Sequence, residues 1–347
     1  MDQKFARLRF SAFAKAAAAG VIVGAVALQP AVAATGAITV TAGNGKFFVN
    51  TDITFSTTSS CSLAISAGSV KSGGTTSAEA YNGGLAWGIF PGAVGGTSST
   101  NAYRDPGGTV TVTPNTGAGT IVTGPTYHPP LLPAGLMVSV QDWFAPSKAV
   151  MRTTIFLQNT SGAPVTLSMS NSTDQGTDSA FVQMTSSGDN PFNFSTDHWV
   201  VISNGSNPQP GGIPTITYAL SEAGAPAQAS PIKGPAAHQF YWTYNDVTIP
   251  AGATKALMVF SQMSSTVAAA EIDATRFSSS VDLAGAGYLA GLSPTQVSEI
   301  VNWNAENTAV PTMSEWALAG LAGLLGLAGS SGAGLFGWRR RRPAGSS

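Results

Sequence analysis

The sequence is short of charge. Lys, Arg, Asp and Glu together make up 10% of its 347 residues, whereas they make up about 25% of a typical soluble domain. This composition excludes a charge-laced helical bundle, a coiled coil and a highly charged disordered chain. The formal net charge is only −1 and no basic patch lies in mid-chain, so nucleic acid is not an expected partner.

Cysteine is nearly absent as well. Cys61 is the sole cysteine, so no disulfide can form within the chain. We interpret Cys61 as a buried residue on a strand face shared with Leu63 and Ile65, with pairing between two chains as the alternative. No basic sequence neighbour would lower the pKa of its thiol, which argues against a nucleophilic role.

Catalytic and cofactor motifs are missing too. The body has no Walker loop, no dinucleotide-binding glycine motif, no Gly-x-Ser-x-Gly elbow and no His-Glu-x-x-His helix. The spacings of His128, His198 and His238 match no local zinc pattern. The sequence therefore predicts no catalytic residue, no cofactor and no metal site. A metal site formed by distant residues stays open as an alternative that geometry decides.

The charge that is present is concentrated at the two ends. Four cations lie in the first 15 residues, and four arginines lie at 339–342. Residues 34–310 hold eight cations against fifteen acids. The chain therefore divides into a weakly acidic body and two basic terminal segments that serve another purpose.

Residues 1–33 have the order of a secretory signal peptide. The basic segment ends at Lys15, an apolar run covers 16–28, and Ala31-Val32-Ala33 supplies the small-x-small pattern before Ala34. We expect Sec-type export and cleavage between Ala33 and Ala34. An uncleaved anchor or a surface helix is the alternative, but the apolar run spans only about 20 Å as a helix, less than the ~30 Å of hydrocarbon.

The C-terminal segment combines a motif, an apolar stretch and a basic tail. The stretch at 317–337 reaches about 32 Å as a helix, enough to cross the inner membrane. The arginines would stop transfer and stay cytoplasmic by the positive-inside rule. The motif residues are Val310, Pro311, Thr312, Met313, Ser314, Glu315 and Trp316, and the tail residues are Arg339, Arg340, Arg341 and Arg342.

This segment resembles the IPTL-CTERM protein-sorting domain of Gram-negative bacteria, which is related in layout to PEP-CTERM signals. The usual motif begins Ile-Pro-Thr-Leu-Ser-Glu-Trp. Here Val310 and Met313 replace Ile and Leu, and the other five positions match. The resemblance covers residues 310–342 and implies recognition by an exosortase-like membrane transpeptidase, with removal of the tail. It implies nothing about the body.

The body has the pattern of a mainly β protein. Two hairpins are predicted, one over 150–170 and one over 247–260 with its turn at Pro250-Ala251-Gly252. Many short strands with frequent turn signals indicate a β-sandwich. Further strands are predicted at 36–41, 46–56, 61–66, 108–113, 136–144, 180–185, 197–203, 214–220 and 239–245.

The same patterns give the expected division of the chain. Ser293-Pro294-Thr295-Gln296 has the form of a capping box that starts a short helix near the end of the body. The expected segments are a signal peptide (1–33), a β-sandwich body (34–263) of one domain or two sub-domains with a loop-rich stretch at 67–125, a helical segment (264–305), a linker (306–309) and the sorting signal (310–342) with a transmembrane helix at 317–337.

Acidic residues of the body could carry chemistry in two ways. Asp174 to Asp178 could offer oxygen ligands to calcium, although a plain Asx turn explains the same residues. Asp197 could not orient His198, because adjacent strand residues point to opposite faces. A glycosidase pair could come from a set of four aspartates, Asp142, Asp174, Asp189 and Asp197.

Aromatic side chains could stack on sugars. The candidates are Trp143, Phe144, Trp199 and the run at 240–244. In that run Phe240, Trp242 and Tyr244 share one strand face, so packing into the core explains them better than an exposed sugar site.

These observations favour a non-enzymatic, exported protein of the cell envelope, cell surface or extracellular matrix. It would be anchored in the inner membrane in transit, with its C-terminus cytoplasmic. Its expected partners are the Sec-type export machinery, an exosortase-like transpeptidase and envelope or matrix polysaccharide. A carbohydrate-binding or adhesive module is the alternative, and a secreted hydrolase whose residues converge only in three dimensions is a second one.

The intact mass of the protein isolated from the cell envelope tests both terminal assignments. We expect the mature chain to begin at Ala34 and to lack the apolar stretch and the arginines, because signal peptidase and a transpeptidase would each remove one end. A mass that includes residues 1–33 or 317–347 would contradict the corresponding assignment.

Overall fold

A computed structural model describes residues 31–34, 37–50, 64–72, 74–78, 80–81, 85–91, 109–114, 117–129, 132–176, 179–205, 212–236 and 239–305. The sorting motif at 310–316, the predicted span at 317–337, Cys61 and His238 lie outside these residues. Within the described ranges, no helix is long and apolar enough to cross a membrane. The sorting and membrane assignments therefore stay predictions.

The described chain is mainly β, as predicted. Its strands are β1 (Val32–Ala34), β2 (Ala37–Ala42), β3 (Gly45–Asn50), β4 (Ala64–Ser72), β5 (Thr75–Thr76), β6 (Leu85–Pro91), β7 (Val110–Thr113), β8 (Thr120–Thr123), β9 (Leu136–Phe144), β10 (Val150–Asn159), β11 (Val165–Asp174), β12 (Ala180–Thr185), β13 (Trp199–Asn204), β14 (Thr215–Ala219), β15 (Ser230–Ala236), β16 (Gln239–Ile249) and β17 (Thr254–Ser264).

Two antiparallel sheets are arranged as a sandwich. The first sheet has the order β1-β7-β8-β9-β10-β17-β14-β13-β12. The second has the order β15-β16-β11-β6-β4-β3-β2, with β5 beside β4. Alternation along each strand divides the side chains between two cores, because successive residues point to opposite faces. In β10, Met151 and Ile155 enter the core between the sheets, whereas Val150 packs on the outer side.

Short helices cover part of the outer face of the first sheet. They are α1 (Val267–Ala274), a 3-10 turn (Thr275–Phe277), α2 (Ser280–Gly285) and α3 (Pro294–Glu299). The predicted capping box at the start of α3 is confirmed, with Ser293 and Gln296 satisfying each other's backbone N–H groups. The helices and the outer face of the first sheet enclose a second core. Its large aromatic side chains are Trp143, Trp199, Phe260, Phe277, Tyr288 and Trp303.

The two predicted hairpins are wrong. β10 pairs with β9 and β17 in the first sheet, whereas β11 pairs with β6 and β16 in the second. β16 and β17 likewise lie in different sheets. Each turn therefore carries the chain across the sandwich. The turn residues are the same as in a hairpin, but the strands meet through their apolar faces rather than through backbone hydrogen bonds.

Asn159 ties the two crossings together. Its side chain is fully buried, and Nδ2 donates to the backbone oxygens of Ala163, Ile249 and Pro250 at 2.8, 3.0 and 3.2 Å. Its Oδ1 accepts from the N–H of Ser161 at 2.9 Å. One amide side chain thus bonds to backbone groups of both turns, among them the buried oxygen of Ile249, which needs a partner.

β6 and β15 are among the strands that were not predicted. β6 lies in the stretch predicted to be loop-rich, and β15 holds two prolines and a glycine. Proline cannot donate to a sheet ladder, which makes it rare inside a sheet. β15 tolerates it because it lies at the edge of the second sheet, where only one of its sides pairs with a described strand.

The predicted cleavage site falls within a strand. Val32, Ala33 and Ala34 pair with Val112, Thr111 and Val110 of β7. Cleavage before Ala34 would remove two of the three residues of β1. Strand β7 would then become an edge of the first sheet in the mature protein.

Asn159→Ala should lower the free energy of unfolding by about 2–3 kcal/mol, because it removes the side-chain hydrogen bonds that join the two turns, including the one to the buried oxygen of Ile249. Urea denaturation of the variant measures this loss. Thr166→Ala, which removes an exposed hydrogen bond to Thr248 beside the same turns, is the matched control with an expected loss below about 0.5 kcal/mol. Equal losses for the two variants would refute the role of Asn159.

Candidate binding cleft

A buried arginine joins the helical segment to the first sheet. Arg152 of β10 is completely buried, and its Nη1 donates to the backbone oxygens of Tyr288 and Ala290 at 2.7 and 3.0 Å. Its Cζ lies 5.3 Å from the ring centre of Trp143, its direct neighbour on β9. Burial lowers the pKa of Arg152 to about 9. The guanidinium thereby holds the chain that leads from α2 to α3 against the sheet.

The same arginine fixes the orientation of an amide. Nη2 of Arg152 donates to Oε1 of Gln141 at 3.1 Å. Because Oε1 is engaged by a donor-only group, Nε2 of Gln141 is directed away from the guanidinium. Gln141 therefore presents N–H donors to its other side, where the sheet is not covered by helices.

A cleft of about 230 Å³ opens at that place. Strands β8, β9, β10 and β17 form its floor, and α3 forms its wall. The lining residues are Thr123, Thr126, Met137, Ser139, Gln141, Phe156, Gln158, Thr254, Gln296 and Glu299.

The strand register sets out the floor as rows across the sheet. Phe156 lies between Ser139 of β9 and Ala256 of β17. In the next row, Gln158 lies between Met137 and Thr254. The half-buried ring of Phe156 is therefore bordered by side chains that can donate and accept hydrogen bonds.

Most of the polar side chains on the floor make no hydrogen bond to other described residues. Within the described part of the chain, the side chains of five lining residues make no hydrogen bond: Thr123, Thr126, Ser139, Gln158 and Thr254. Several free hydroxyl and amide groups in one concavity are what a ligand rich in hydroxyl groups requires.

The helical wall contributes a donor and an acid. Oε1 of Gln296 accepts from the N–H of Ser293 at 2.9 Å, so its Nε2 is left for the cleft. Glu299 follows one turn later on the same face of α3. Burial raises the pKa of Glu299, and Lys255 opposes that shift. Among the described residues the ion pairs are those of Asp273 with Lys148 and Arg276, so Glu299 is in neither.

Among the described residues that line the cleft, Glu299 is the one carboxylate. Hydrolysis of a glycosidic bond ordinarily needs two carboxyl groups, about 5–9.5 Å apart on either side of the bond. The described lining therefore offers groups for recognition and does not contain the pair of carboxyl groups that this kind of hydrolysis uses.

The structure brings together two of the four predicted aspartates. Oδ1 of Asp189 and Oδ1 of Asp197 both lie within 2.6 Å of the hydroxyl of Ser187, so they are at most about 5 Å apart. Asp197 is buried, however, and accepts from the backbone N–H groups of Ser187 and Asn193 at 3.0 and 2.7 Å. It organises the loop between β12 and β13, and neither acid lines the cleft.

Asp142 lies in the core between the sheets. Its Oδ1 accepts from the hydroxyl of Thr153 at 2.6 Å, and its Oδ2 has no partner in the described part of the chain. Burial raises the pKa of Asp142 to about 7, against the opposing effects of Thr153 and Arg152. Asp142 is therefore a core residue and is inaccessible to a substrate.

The possible calcium ligands form a turn. Oδ1 of Asp174 accepts from the N–H of Gly176 at 2.9 Å, which is the predicted Asx turn. Asp178 lies outside the described residues. Within them, no group of three or more His, Cys, Asp or Glu side chains could hold a metal ion.

The two described histidines, His128 and His198, are not among the residues that line the cleft. Nδ1 of His128 is 2.9 Å from the backbone oxygen of Leu136. Burial lowers the pKa of His198, and its Nδ1 is buried with no partner among the described residues. Neither side chain lines the cleft.

The predicted aromatic candidates are packed into the two cores. Trp143, Phe144, Trp199, Phe240, Trp242 and Tyr244 are all at most 2% exposed. Core packing of the 240–244 run is confirmed, and sugar stacking on these six rings is wrong. Phe156, Gln158, Gln296 and Glu299 were not predicted as site residues. The polar residues at alternate positions 139 and 141 of one strand, and at 158 of the next, were the available signal.

Neither a family model nor a curated protein matches the sequence. Among solved structures, a galactose mutarotase-like protein from Lactobacillus casei is 10% identical with a TM-score of 0.40, over 66% of this chain and 100% of that one. A putative aldose 1-epimerase from Klebsiella pneumoniae is 8% identical with a TM-score of 0.43, over 72% and 94%. Similarity at this level establishes neither a family nor an activity.

Asp142→Asn should weaken the dependence of stability on pH. A carboxyl whose pKa rises from 3.8 to about 7 on folding holds its proton more tightly in the folded state, so its contribution to stability falls as the pH rises through that window. Urea denaturation at pH 5 and pH 8 should show a loss on the order of 1 kcal/mol or more in the wild type that the variant lacks. Asp246→Asn, at an exposed carboxylate, is the control. The same pH dependence in all three proteins would contradict the assignment.

Proposed function

We propose that this chain is an exported protein that binds carbohydrate through the cleft on its first sheet, without cleaving it. The observation that carries the proposal is the set of free hydroxyl and amide side chains around the half-buried ring of Phe156. Sugar hydroxyl groups donate and accept hydrogen bonds, and the C–H face of a sugar ring can pack on an aromatic ring. The cleft supplies partners for both kinds of contact.

The charges of the cleft favour a ligand without acidic groups. Among the described residues that line the cleft, Glu299 is the one with a charged side chain, and the body as a whole is acidic. A sugar carboxylate or sulfate would be repelled by Glu299 and would find no cation among those lining residues to pair with. A polysaccharide built from uncharged units fits these groups better.

The predicted terminal segments support the place of action. A signal peptide would deliver the body beyond the inner membrane, and the segment that resembles a sorting signal would hand it to a transpeptidase there. Polysaccharides of the envelope or the matrix would then be within reach. The main prediction from the sequence, a non-enzymatic envelope or matrix protein, and its carbohydrate-binding alternative are thus two parts of one proposal.

Gln158→Leu should weaken carbohydrate binding about three- to tenfold, because it removes one neutral hydrogen-bonding group from the floor. The full-length protein, purified in detergent, is first tested on a glycan array, and the best ligand is then titrated by calorimetry. Gln239→Leu, on β16 of the other sheet, should bind like the wild type. Absence of binding to every glycan, or equal loss in both variants, would refute the proposal.

A further inference from the structure

The cleft holds a hydrogen-bond donor and a hydrogen-bond acceptor whose roles are fixed, and together they suit a group that both donates and accepts. We infer that it recognises N-acetylated hexosamine units, with the acetamido group held between Glu299 and Gln141. This inference rests on the proposed function and names the class of sugar. It follows from the donor of Gln141 on the floor, from the acceptor of Glu299 on the wall formed by α3, and from the apolar part of the floor.

Gln141 can act only as a donor toward the cleft. Its Oε1 is held by the guanidinium of Arg152, which is completely buried and cannot move to another partner without breaking its bonds to the backbone oxygens of Tyr288 and Ala290. An amide with a free choice of orientation would adapt to either kind of partner. Here the orientation of the Gln141 amide is fixed in the free protein, which reduces the conformational entropy lost on binding.

Glu299 can act only as an acceptor when it is ionised. It lies on α3, whereas Gln141 lies on β9, so the acceptor and the fixed donor belong to different sides of the cleft. In a trans secondary amide, the N–H and the C=O point in opposite directions. An acetamido group placed across the cleft can therefore donate to Glu299 while accepting from Gln141.

The methyl group of the acetamido unit also finds a partner. Met137 and Phe156 are the apolar side chains of the lining, and they lie on neighbouring strands in adjacent rows of the floor. A methyl group that packs on them leaves water, which contributes favourably to binding. A plain hydroxyl at the same position of the sugar can also donate to Glu299 or accept from Gln141, but it has no methyl group to pack on Met137 and Phe156.

A free amine would fit less well. An ammonium group donates in three directions and accepts in none. It would pair with Glu299, but Gln141 and Gln296 would present further donors to it, and Lys255 is the cation whose charge acts on Glu299 from β17. The cleft therefore offers a cation one acceptor among several competing donors.

Three oligosaccharide series with the same β-1,4 linkage separate these cases. Chitin, cellulose and chitosan oligosaccharides differ only in the group at carbon 2, which is acetamido, hydroxyl or ammonium. Calorimetry with the full-length protein should show the chitin series binding about tenfold or more tightly than the cellulose series. Equal affinities, or a preference for the ammonium series, would overturn the inference.

Two variants test the assigned contacts. Gln141→Glu keeps a partner for Arg152 but removes the N–H donor, and Glu299→Ala removes the acceptor. Each should reduce the preference for chitin over cellulose oligosaccharides to about threefold or less, because it removes one of the two hydrogen bonds assigned to the acetamido group. Glu271→Ala on α1 is the control and should keep the full preference. A preference that survives in both cleft variants would place the acetamido group elsewhere.

The outcomes distinguish selectivity for the acetamido group from carbohydrate binding as such. Binding of all three series with similar affinity, weakened by Gln158→Leu, would leave a carbohydrate-binding cleft that does not select the acetamido group. Absence of binding by all three series and by the wider glycan array would remove the cleft as a carbohydrate site altogether.

Discussion

The guanidinium of Arg152 is the constraint on which the outer half of the molecule depends. A charged group in an apolar interface is costly unless its hydrogen bonds are made. Nη1 and Nη2 of Arg152 make them with Gln141 and with the backbone oxygens of Tyr288 and Ala290, whereas Nε is buried with no partner among the described residues. These contacts decide where the helical segment lies on the first sheet, and therefore which part of that sheet is left uncovered as the cleft.

The core between the sheets depends on how the chain crosses from one sheet to the other. Strands that are neighbours in sequence, β10 and β11 or β16 and β17, are separated into opposite sheets. Asn159 makes this possible because one buried amide satisfies the backbone of both crossings. The rigid sandwich then holds β9, β10 and β17 in register, which sets the rows of side chains on the cleft floor.

Patterns within short stretches of sequence predicted many of the strands but could not predict which strands pair. They gave β9 and β12 with their observed bounds, because such a pattern depends only on residues of the same strand. Turn residues after Asn159 and Ile249 are compatible with a hairpin or with a crossing, and only the pairing across the core decides between them. The cleft was not predicted because Phe156 and Gln158 have the pattern of ordinary strand residues. The position of the helices, which Arg152 fixes, makes them part of a cleft, and the strand sequence does not contain that information.

A crystal structure of the protein with a bound chitin oligosaccharide would locate the sugar on the molecule. We expect a sugar ring over Phe156, with its acetamido group between the carboxylate of Glu299 and Nε2 of Gln141. Hydrogen bonds from Gln158 to sugar hydroxyl groups should accompany it. An oligosaccharide bound on the second sheet, or an empty cleft in crystals with sugar bound at another site, would contradict the account.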